Sequence, residues 1–412
     1  MMQLNIPRGI IYHSLFQNFS SFVSALFKPL DNRKLVKKFE RKFADYLGCK
    51  YGLAFPFARI AIYYSLKLKK YPAGTEIIMP PITIKAILDV VLDLGLKPVF
   101  VDIDRDTLGF DINKLASAIT VNTKAILITY LYGMVPDLDP MIDLCKANHL
   151  YVIEDFSQCL NGEYKNKKVG SFGDVGVYSS SSIKTLDTYG GGLLVTNDTD
   201  LYHQLCEYQE ELIAPSRSAL IKKILINTIR NMATTRLIFH LFTFPLLKIV
   251  SSFKPQTYAR NLGERDRTPI RQLPAAWFTR YTSLQAKVGL SLLSKVQYED
   301  EVRIHNSNEI RESVAFMFPR GAKDTRNVFW QTIAYFSEPS AALKLLRNSK
   351  IDSATTSLVK ISTLPKYSFM GHTPNADMVY ENALFIPAYP GLSNQDIKHI
   401  IVTLNNIYQS QM

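Results

Sequence analysis

The sequence predicts an α/β fold built on a parallel sheet that is covered by helices on both faces. Strand and helix patterns alternate from residue 32 to residue 197, as they do in a series of βαβ units. Segment 151–154 is apolar up to its acidic end, which is typical of a buried strand. Of the 412 residues, 47% are hydrophobic and 20% are charged, which excludes wholesale disorder. At roughly 100–200 residues per domain, this length predicts two or three domains.

The predicted elements follow one another closely. Strands are predicted over 76–79, 98–102, 124–130 and 151–154, and helices over 32–47, 59–69, 84–94, 111–119 and 138–148. Asp31 or Asn32 could cap the first of these helices. The C-terminal part shows a helical pattern over 283–310, a strand-like run over 329–336 and a last helix over 394–408 with Ser393 as its N-cap. Ligands of such sheets bind beyond the carboxyl ends of the strands.

The first thirty residues form a separate amphipathic extension. Residues 9–27 are uncharged but contain His13, Gln17, Asn18 and four serines, which is too polar for a membrane span. They also lack the basic start of a signal peptide. Helical spacing is shown by the apolar residues Tyr12, Phe16, Phe19, Phe22, Val23 and Leu26. We therefore predict an N-terminal extension over 1–30, a large domain over 31–212, an insertion over 213–275 and a small domain over 276–412.

The insertion carries most of the excess positive charge. Basic residues outnumber acidic ones by 12 in the whole chain, and eleven basic but only two acidic residues lie between Pro215 and Arg271. Its longest uncharged run, 237–247, is 11 residues long, too short to cross a bilayer but suited to a helix at an interface. Two interpretations stay open: a membrane-surface helix pair over 217–253, and a dimer interface or lid, which we favour. No recognised motif supports a nucleic-acid partner.

The four cysteines give no sign of a metal site. Cys49, Cys145, Cys159 and Cys206 include no C-x-x-C pair, so no zinc or iron–sulfur site is predicted. They are interpreted as reduced thiols, which are typical of a reducing compartment. The expected location is therefore the cytoplasm. If the insertion binds lipid, we expect peripheral contact with the inner face of the membrane.

The densest polar chemistry lies between Asp155 and Gly192. Asp155 ends the 151–154 strand, Gln158 lies three residues later, and Ser179, Lys184 and glycines 190–192 follow. A lysine, a carboxylate and a loop of small residues are what pyridoxal phosphate requires. The lysine binds the cofactor, the carboxylate keeps the pyridine nitrogen protonated, and hydroxyls and amides hold the phosphate.

Ordinary structural roles and other enzyme classes compete with this interpretation. An aspartate after a strand is often a helix cap, a lone lysine is usually a surface group, and a serine tract can be a flexible loop. Ser181 to Lys184 matches the S-x-x-K of serine acyl-enzymes, but the S-D-N and K-T-G elements of those enzymes are missing. Glycines 170, 173 and 176 are spaced G-x-x-G-x-x-G, not the G-x-G-x-x-G of nicotinamide sites.

Seven segments, in order, resemble motifs of one family. They are K-K-F-E-R-K-F-A-D-Y-L-G at 37–48, K-P-V-F-V-D-I-D at 97–104, Y-L-Y-G at 130–133, Y-V-I-E-D-F-S-Q at 151–158, V-G-S-F-G-D at 169–174, L-Q-A at 284–286 and P-A-Y-P-G-L-S-N-Q-D-I at 387–397. Together they resemble the DegT/DnrJ/EryC1/StrS family of sugar-nucleotide aminotransferases. The resemblance covers roughly residues 30–212 and 275–408.

This resemblance implies a fold similar to the fold-type I aminotransferases. In that fold a large domain with a mostly parallel seven-stranded sheet precedes a smaller C-terminal α/β domain, and a homodimer forms the active sites at its interface. By resemblance, Lys184 is the Schiff-base lysine, Asp155 the partner of the pyridine nitrogen and Gln158 the glutamine near the ring. Ser179 then binds the phosphate, and Arg280 approaches the cofactor phosphate of the other subunit.

The chain departs from the family pattern around the phosphate. The family's S-G-T turn is Phe57-Ala58-Arg59 here, so the glycine and the threonine hydroxyl are missing. Arg59 could compensate because a guanidinium binds phosphate bidentately at the start of a helix, although it could also point to solvent. Ile84 replaces the aromatic residue that covers the ring, and Phe278 replaces the asparagine of N-Y-R. Ala58 and Arg59 are therefore the expected cofactor contacts in a remodelled phosphate cup, and Ile84 is expected to cover one face of the ring.

The retained lysine selects a reaction within the family. Relatives that replace this lysine with histidine perform dehydration, so Lys184 favours amino transfer. The resemblance implies glutamate or glutamine as donor, with Lys184 moving the proton as general acid and base. A keto group on a nucleotide-linked deoxysugar is the implied acceptor, for surface polysaccharide or a related glycan. The alternative is a non-catalytic homologue that binds pyridoxal phosphate or a sugar nucleotide for regulation or scaffolding. Retention of Asp155, Gln158 and Lys184 favours the enzyme.

Overall fold

A seven-stranded sheet organises the first half of the chain. The structure is a computed structural model that describes residues 4–253, 269–314, 317–356, 358–361, 364 and 372–411. The strands of this sheet lie in the order β1-β10-β9-β6-β5-β2-β4. All neighbours are parallel except β10, which pairs antiparallel with β1 and with β9. The predicted mostly parallel α/β sheet is confirmed.

The strands are β1 Tyr51–Phe55, β2 Glu76–Met79, β3 Ile82–Thr83, β4 Lys97–Phe100, β5 Thr123–Thr129, β6 Tyr151–Asp155, β7 Glu163–Tyr164, β8 Lys167–Lys168, β9 Val175–Ser179, β10 Gly192–Thr196, β11 Thr325–Arg326, β12 Thr332–Tyr335, β13 Val359–Lys360 and β14 Ala383–Ile386. Strands β11, β7 and β8 form a small antiparallel sheet, β12 pairs with β14, and β13 pairs with β3. The last pair joins the C-terminal part of the chain to the edge of the large domain.

The helices are α1 Leu15–Phe27, α2 Arg33–Leu47, α3 Ala58–Lys67, α4 Lys85–Asp93, α5 Ile112–Ala118, α6 Asp139–Ala147, α7 Thr199–Glu211, α8 Arg217–Thr234, α9 Arg236–Ile238, α10 Phe244–Phe253, α11 Ser283–Leu293, α12 Val296–Ser313, α13 Pro339–Asn348, α14 Pro374–Asn382 and α15 Asn394–Gln411. One turn of π-helix, Phe239–Thr243, joins α9 to α10. The predicted cap of α2 is Asn32, whose side chain accepts a bond from the Leu35 amide.

Helices cover both faces of the sheet. Alternate residues of β5 enter two different apolar clusters: Ile126 and Ile128 pack with Phe39 of α2, whereas Leu127 packs with Ile60 of α3. A strand that is buried on both faces needs apolar residues at successive positions, and this explains the continuous apolar patterns in the sequence. A further cluster, which includes Ile310, Leu346, Leu384 and Ile400, forms the core of the C-terminal part.

The helical pattern predicted over 283–310 corresponds to two helices. Helix α11 ends at Leu293, and α12 begins at Val296. The Ser294 hydroxyl donates a 3.1 Å bond to the Ser291 carbonyl, and such local side-chain bonds compete with the helical ladder. The strand-like run over 329–336 is also shorter than predicted. Phe329 has a left-handed φ of 45°, and regular pairing is confined to β12.

Helix α1 turns its polar face inward. Asn18, Ser21, Ser24 and Ala25 are buried, and the Tyr189 hydroxyl donates a 2.8 Å bond to Asn18 Oδ1. Most of the predicted apolar stripe therefore faces outward. The ring of Phe16 is 80% exposed and that of Phe19 is 65% exposed in the single chain. The amphipathic helix is present, and its apolar side is available to a partner.

The insertion is helical where the structure describes it. Helix α8 packs against α1, and the chain then bends by 68° into α9, the π-helical turn and α10. Within the described part of the chain, no single helix is long and apolar enough to cross a membrane. The bent pair Arg217–Thr234 and Arg236–Val250 satisfies the length and composition criteria only when its two arms are taken together. Residues 254–268 of the predicted insertion lie outside the described residues.

Candidate active site

The carboxyl ends of β6 and β9 bring the first two predicted site residues together. These strands are parallel neighbours that end at Asp155 and Ser179. Ser157 links them: its amide donates a 3.1 Å bond to Asp155 Oδ1, and its hydroxyl accepts a 2.9 Å bond from the Ser179 amide. The Ser179 hydroxyl donates to Ser181 Oγ at 3.1 Å. The strand ends thus present a carboxylate beside a group of hydroxyls.

Lys184 lies within electrostatic reach of Asp155. The lysine is only 5% exposed, and burial lowers the pKa of its amine to about 7 although the negative charge of Asp155 opposes the change. Burial raises the pKa of the Asp155 carboxyl, which the Ser157 bonds and the charge of Lys184 counteract. An amine that is largely neutral just above pH 7 can act as a nucleophile or a base.

Trp330, which no motif in the sequence indicates, lies against Lys184. The Lys184 ammonium nitrogen lies 3.5 Å from the centroid of the Trp330 ring, within cation–π distance. The indole Nε1 donates a 3.1 Å bond to the carbonyl of Ile183, a residue with a left-handed φ of 73°. The sequence indicates this residue only weakly. Trp330 is one of two tryptophans in the chain, and it lies in the run 329–336 that is interpreted as a strand.

Gln158 positions the loop that follows β5. Its Oε1 accepts a 2.6 Å bond from the amide of Tyr132, which has a left-handed φ of 56°. The next residue, Gly133, leaves no room for a side chain: a Cβ there would lie 2.5 Å from the Trp330 amide nitrogen and 2.8 Å from the Gln158 carbonyl oxygen. Gln158 and Gly133 thus hold the Trp330 backbone close to the carboxyl end of β6. A contact of Gln158 with a cofactor ring stays a prediction.

The turn 57–59 begins helix α3 beside the glycine run. Phe57 is the N-cap residue, and its side chain makes no capping bond. The Arg59 guanidinium carbon lies 4.2 Å from the centroid of the Phe57 ring and 3.8 Å from that of Trp277. Arg59 is half-buried against these rings at the amino end of the helix. Ala58 lies next to Gly192, the first residue of β10.

Gly192 allows this close approach, and its replacement should disturb the turn. A Cβ at Gly192 would lie 2.2 Å from the Ala58 amide nitrogen and 2.3 Å from the Phe57 carbonyl carbon, and backbone atoms cannot move away cheaply. Gly192→Ala is therefore expected to lower the free energy of unfolding by about 2–3 kcal/mol in denaturant titrations. Gly9→Ala is the matched control because nothing lies within 4 Å of its Cβ position. Equal stability of the two variants would contradict this packing.

Ile84 and Arg280 lie at the surface of the single chain. Ile84 is 37% exposed at the amino end of α4. Arg280 Nη1 lies 3.1 Å from Asp31 Oδ2, and its Nη2 donates a 3.3 Å bond to the Glu210 carbonyl. The bonds of Arg280 within its own chain are thus to residues outside the Asp155–Lys184 group. Contacts of Ile84 with a cofactor and of Arg280 with the site of a second subunit remain predictions.

The strand ends gather several kinds of reactive and polar groups. Among the residues that the structure describes, no group of three or more histidine, cysteine, aspartate or glutamate side chains could hold a metal ion. What the strand ends provide is a buried amine, a buried carboxylate, a tryptophan face and a cluster of serine hydroxyls. This set suits a small aromatic molecule that carries a reactive carbonyl and a phosphate.

Comparisons with known proteins show which proteins this chain is similar to. A sequence model of the DegT/DnrJ/EryC1/StrS aminotransferase family matches residues 27–222. The chain is 24% identical over 385 residues to GDP-perosamine synthase of Escherichia coli O157:H7, with 91% of each chain covered. It is 35% identical over 184 residues to GDP-perosamine synthase of Caulobacter vibrioides, over 45% of this chain and 50% of that protein.

A solved structure supports the fold. The aminotransferase from Psychrobacter cryohalolentis superposes with a TM-score of 0.74 at 20% sequence identity, and the match covers 96% of this chain and 97% of that one. At this identity the likeness concerns the fold. The fold, the sequence match and the nearly full-length relative lead to one conclusion. Residues 27–222 match the DegT/DnrJ/EryC1/StrS aminotransferase family, and the chain is similar to aminotransferases in sequence and in fold over most of its length.

Proposed function

We propose that this protein uses pyridoxal phosphate to transfer an amino group from glutamate, or glutamine, to a keto group of a nucleotide-linked deoxysugar. The observation that carries the proposal is the buried Lys184 amine, with a pKa lowered to about 7, between Asp155 and the face of Trp330. The match of residues 27–222 to an aminotransferase family supports the reaction class. The buried, charge-coupled lysine is what distinguishes a working site from an inert homologue.

The residues present fit pyridoxal phosphate. Lys184 would bind the cofactor covalently through Nζ, and Asp155 would hold a proton on the pyridine nitrogen. Ser179 and the amino end of α3, with Ala58 and Arg59, would hold the phosphate. When bound, the cofactor supplies an electron sink for the bond that breaks at the donor Cα. The chain supplies the proton chemistry and the orientation.

Lys184 and Asp155 divide the proton chemistry between them. Because its pKa is about 7, Lys184 Nζ exists in both protonation states near neutral pH, so it can accept the proton from the donor Cα and would deliver it to the cofactor carbon that takes up the amino group. Asp155 works as an anion. The bonds from Ser157 and the nearby charge of Lys184 favour its ionised form against the effect of burial.

The acceptor is proposed from the named relatives. Two relatives are GDP-perosamine synthases, enzymes whose name implies a GDP-linked sugar product. We infer a nucleoside-diphosphate keto-sugar as the acceptor here and surface polysaccharide, such as lipopolysaccharide, or a related glycan as its destination. The reaction is placed in the cytoplasm, where the free thiols of Cys49, Cys145, Cys159 and Cys206 would stay reduced.

A homodimer is the assembly that we propose. The exposed apolar side of α1 carries Phe16, Phe19 and Phe27, a patch of the kind that marks protein interfaces. Membrane contact through 217–253 is less favoured because the basic residues of the insertion are partly engaged within the chain. Arg217 binds the Lys28 carbonyl at 3.0 Å, and Arg236 pairs with Asp396.

Polar replacements on α1 should show whether a second subunit covers this helix. Phe16→Ser with Phe27→Ser is expected to shift the protein from dimer to monomer in size-exclusion chromatography with light scattering, because both rings are 80% exposed in the single chain. Val121→Ser, at a similarly exposed apolar residue in the loop before β5, is the control. A variant that stays dimeric contradicts the α1 interface. Co-sedimentation of the wild type with anionic vesicles, lost on deletion of 217–253, would instead identify a membrane contact.

Product analysis tests the proposed reaction. Purified protein with pyridoxal phosphate, isotopically labelled glutamate and a set of nucleoside-diphosphate keto-deoxysugars should yield one amino sugar that carries the label, as detected by mass spectrometry. A wild-type protein that binds the cofactor but transfers no label to any acceptor, and does not convert glutamate, supports the non-catalytic alternative of a regulatory or scaffolding homologue. The three retained residues Asp155, Gln158 and Lys184 favour transfer.

A further inference from the structure

The insertion helix α8 sends one lysine to the phosphate cup. Lys223 Nζ lies 3.0 Å from the position that a Cβ on Gly190 would occupy, so the ammonium lies over the glycine run. The same nitrogen is 4.8 Å from the centroid of the Phe57 ring. Both contacts belong to the remodelled cup. Phe57 is the N-cap of α3 and begins the 57–59 turn. Gly190 lies two residues before Gly192, which packs on this turn.

Neighbouring bonds fix α8 in this position. Asn227 lies one helical turn after Lys223, and its side-chain Nδ2 donates a 2.6 Å bond to Asp187 Oδ2. Asp187 in turn accepts a 2.8 Å bond from the Tyr189 amide, and its carbonyl contacts a ring nitrogen of His13 at 2.7 Å. Loop 185–191 is thus tied to α8 and to the segment before α1. Lys223 therefore extends to the cup from a helix whose position is fixed by the buried Asn227–Asp187 hydrogen bond.

Two positive charges meet on one aromatic ring. Arg59 lies on the Phe57 ring at 4.2 Å, and Lys223 lies on it at 4.8 Å. Burial and the charge of Arg59 both lower the pKa of Lys223. Within the described residues, the charged group that shifts the pKa of Lys223 is therefore Arg59, which repels its ammonium. Two cations held at the same ring make a position that attracts an anion.

We propose that Lys223 and Arg59 together bind a phosphate group, and that they take over the role of the missing hydroxyl donors of the 57–59 turn. The amide groups at the amino end of α3, a helix of 10 residues, add further donors and a favourable dipole. The phosphate is that of the cofactor or of the nucleotide-linked substrate. The inference rests on the proposed function and assigns to the insertion a part in binding.

Equilibrium binding to the cofactor-free protein tests this assignment. Pyridoxal phosphate and pyridoxal differ only in the phosphate, so the ratio of their dissociation constants isolates the phosphate contact. Lys223→Met is expected to weaken pyridoxal phosphate binding about 10- to 100-fold and to leave pyridoxal unchanged. Lys223→Arg should keep most of the phosphate preference. Lys222→Met, at an exposed neighbour on the same helix, is the control and should bind like the wild type.

A second arm distinguishes the source of the phosphate. GDP binding is measured on the same variants. A loss confined to GDP in Lys223→Met would assign the pair to the nucleotide, and a loss confined to pyridoxal phosphate would assign it to the cofactor. Unchanged affinity for both ligands in a variant with the wild-type melting temperature would overturn the inference. A wild type that does not bind pyridoxal phosphate would contradict the proposed function instead, and the GDP arm would still decide the role of Lys223.

Discussion

Lys184→Ala protein loaded with pyridoxal phosphate is expected to convert the cofactor with glutamate at least about a thousandfold more slowly than the wild type. The reason is that one amine supplies both the covalent attachment and the proton transfer at the donor Cα. Its low pKa suits it to the second task. Stopped-flow absorption, which follows loss of the visible band after glutamate is added, measures the rate in a single turnover.

A second lysine controls for the effect of removing a buried amine. Burial also lowers the pKa of Lys168, but that residue donates a 3.0 Å bond to Asn161 and stacks on Tyr46. Lys168→Ala should leave the glutamate rate within about twofold of wild type because the residue is outside the site. A Lys184→Ala protein that reacts as fast as Lys168→Ala would exclude Lys184 as the catalytic base.

Asp155→Asn is expected to act on the rate and on its pH dependence. If Asp155 pairs with the pyridine nitrogen of the bound cofactor, the loss of its charge should slow the glutamate half-reaction about 100-fold or more. The negative charge of Asp155 raises the pKa of Lys184, so its removal should lower that pKa further. In the wild type the neutral, reactive amine accumulates as pH rises through about 7. In the variant this rise should occur about one pH unit lower.

The rate of covalent cofactor attachment, trapped by borohydride at each pH, measures that midpoint. Glu154→Gln is the control because Glu154 is the adjacent buried carboxyl, and it accepts 2.6 Å bonds from the Phe172 and Gly173 amides instead of facing Lys184. This control should lose stability and keep the midpoint. If Asp155→Asn shows the wild-type midpoint, the charge coupling between Asp155 and Lys184 is absent and the proposed division of proton chemistry is wrong.

Local patterns were sufficient to predict the strand-end part of the site. Asp155 lies at the end of a buried parallel strand, where ligands of such sheets bind, and Ser157 links it to Ser179 at the end of the neighbouring strand. Lys184 follows Ser179 at short range, so its approach to Asp155 needs only one loop. The alternation of strand and helix patterns likewise depends on neighbours in sequence, and this is why the sheet could be predicted.

The rest of the site depends on contacts between residues that are distant in sequence. Trp330 reaches Lys184 from the C-terminal part of the chain, through the tight approach of its backbone to Gly133. Lys223 belongs to a basic, apolar segment whose composition equally fits a membrane surface or an interface. Its turn toward Gly190 is set by the Asn227–Asp187 bond, which no periodicity reveals. Composition predicted the insertion, and only tertiary packing shows what its lysine contacts.

Helix α1 illustrates the same limit. Its apolar stripe was correctly predicted to lie on one face, but a stripe is usually interpreted as the buried side. The opposite face is buried instead because Asn18 meets the Tyr189 hydroxyl, in a polar cluster that also contains His13. A buried tyrosine hydroxyl needs a partner, and Asn18 on the polar face of α1 supplies it.

The absorption spectrum of the purified wild-type protein with pyridoxal phosphate, before and after glutamate, tests the central claim most directly. The proposed function predicts a visible band from the lysine-bound cofactor. Glutamate should remove this band, and a nucleoside-diphosphate keto-sugar should restore it. A protein that remains colourless with added pyridoxal phosphate, or whose band is unaffected by both glutamate and glutamine, would contradict the assignment of an aminotransferase activity to this site.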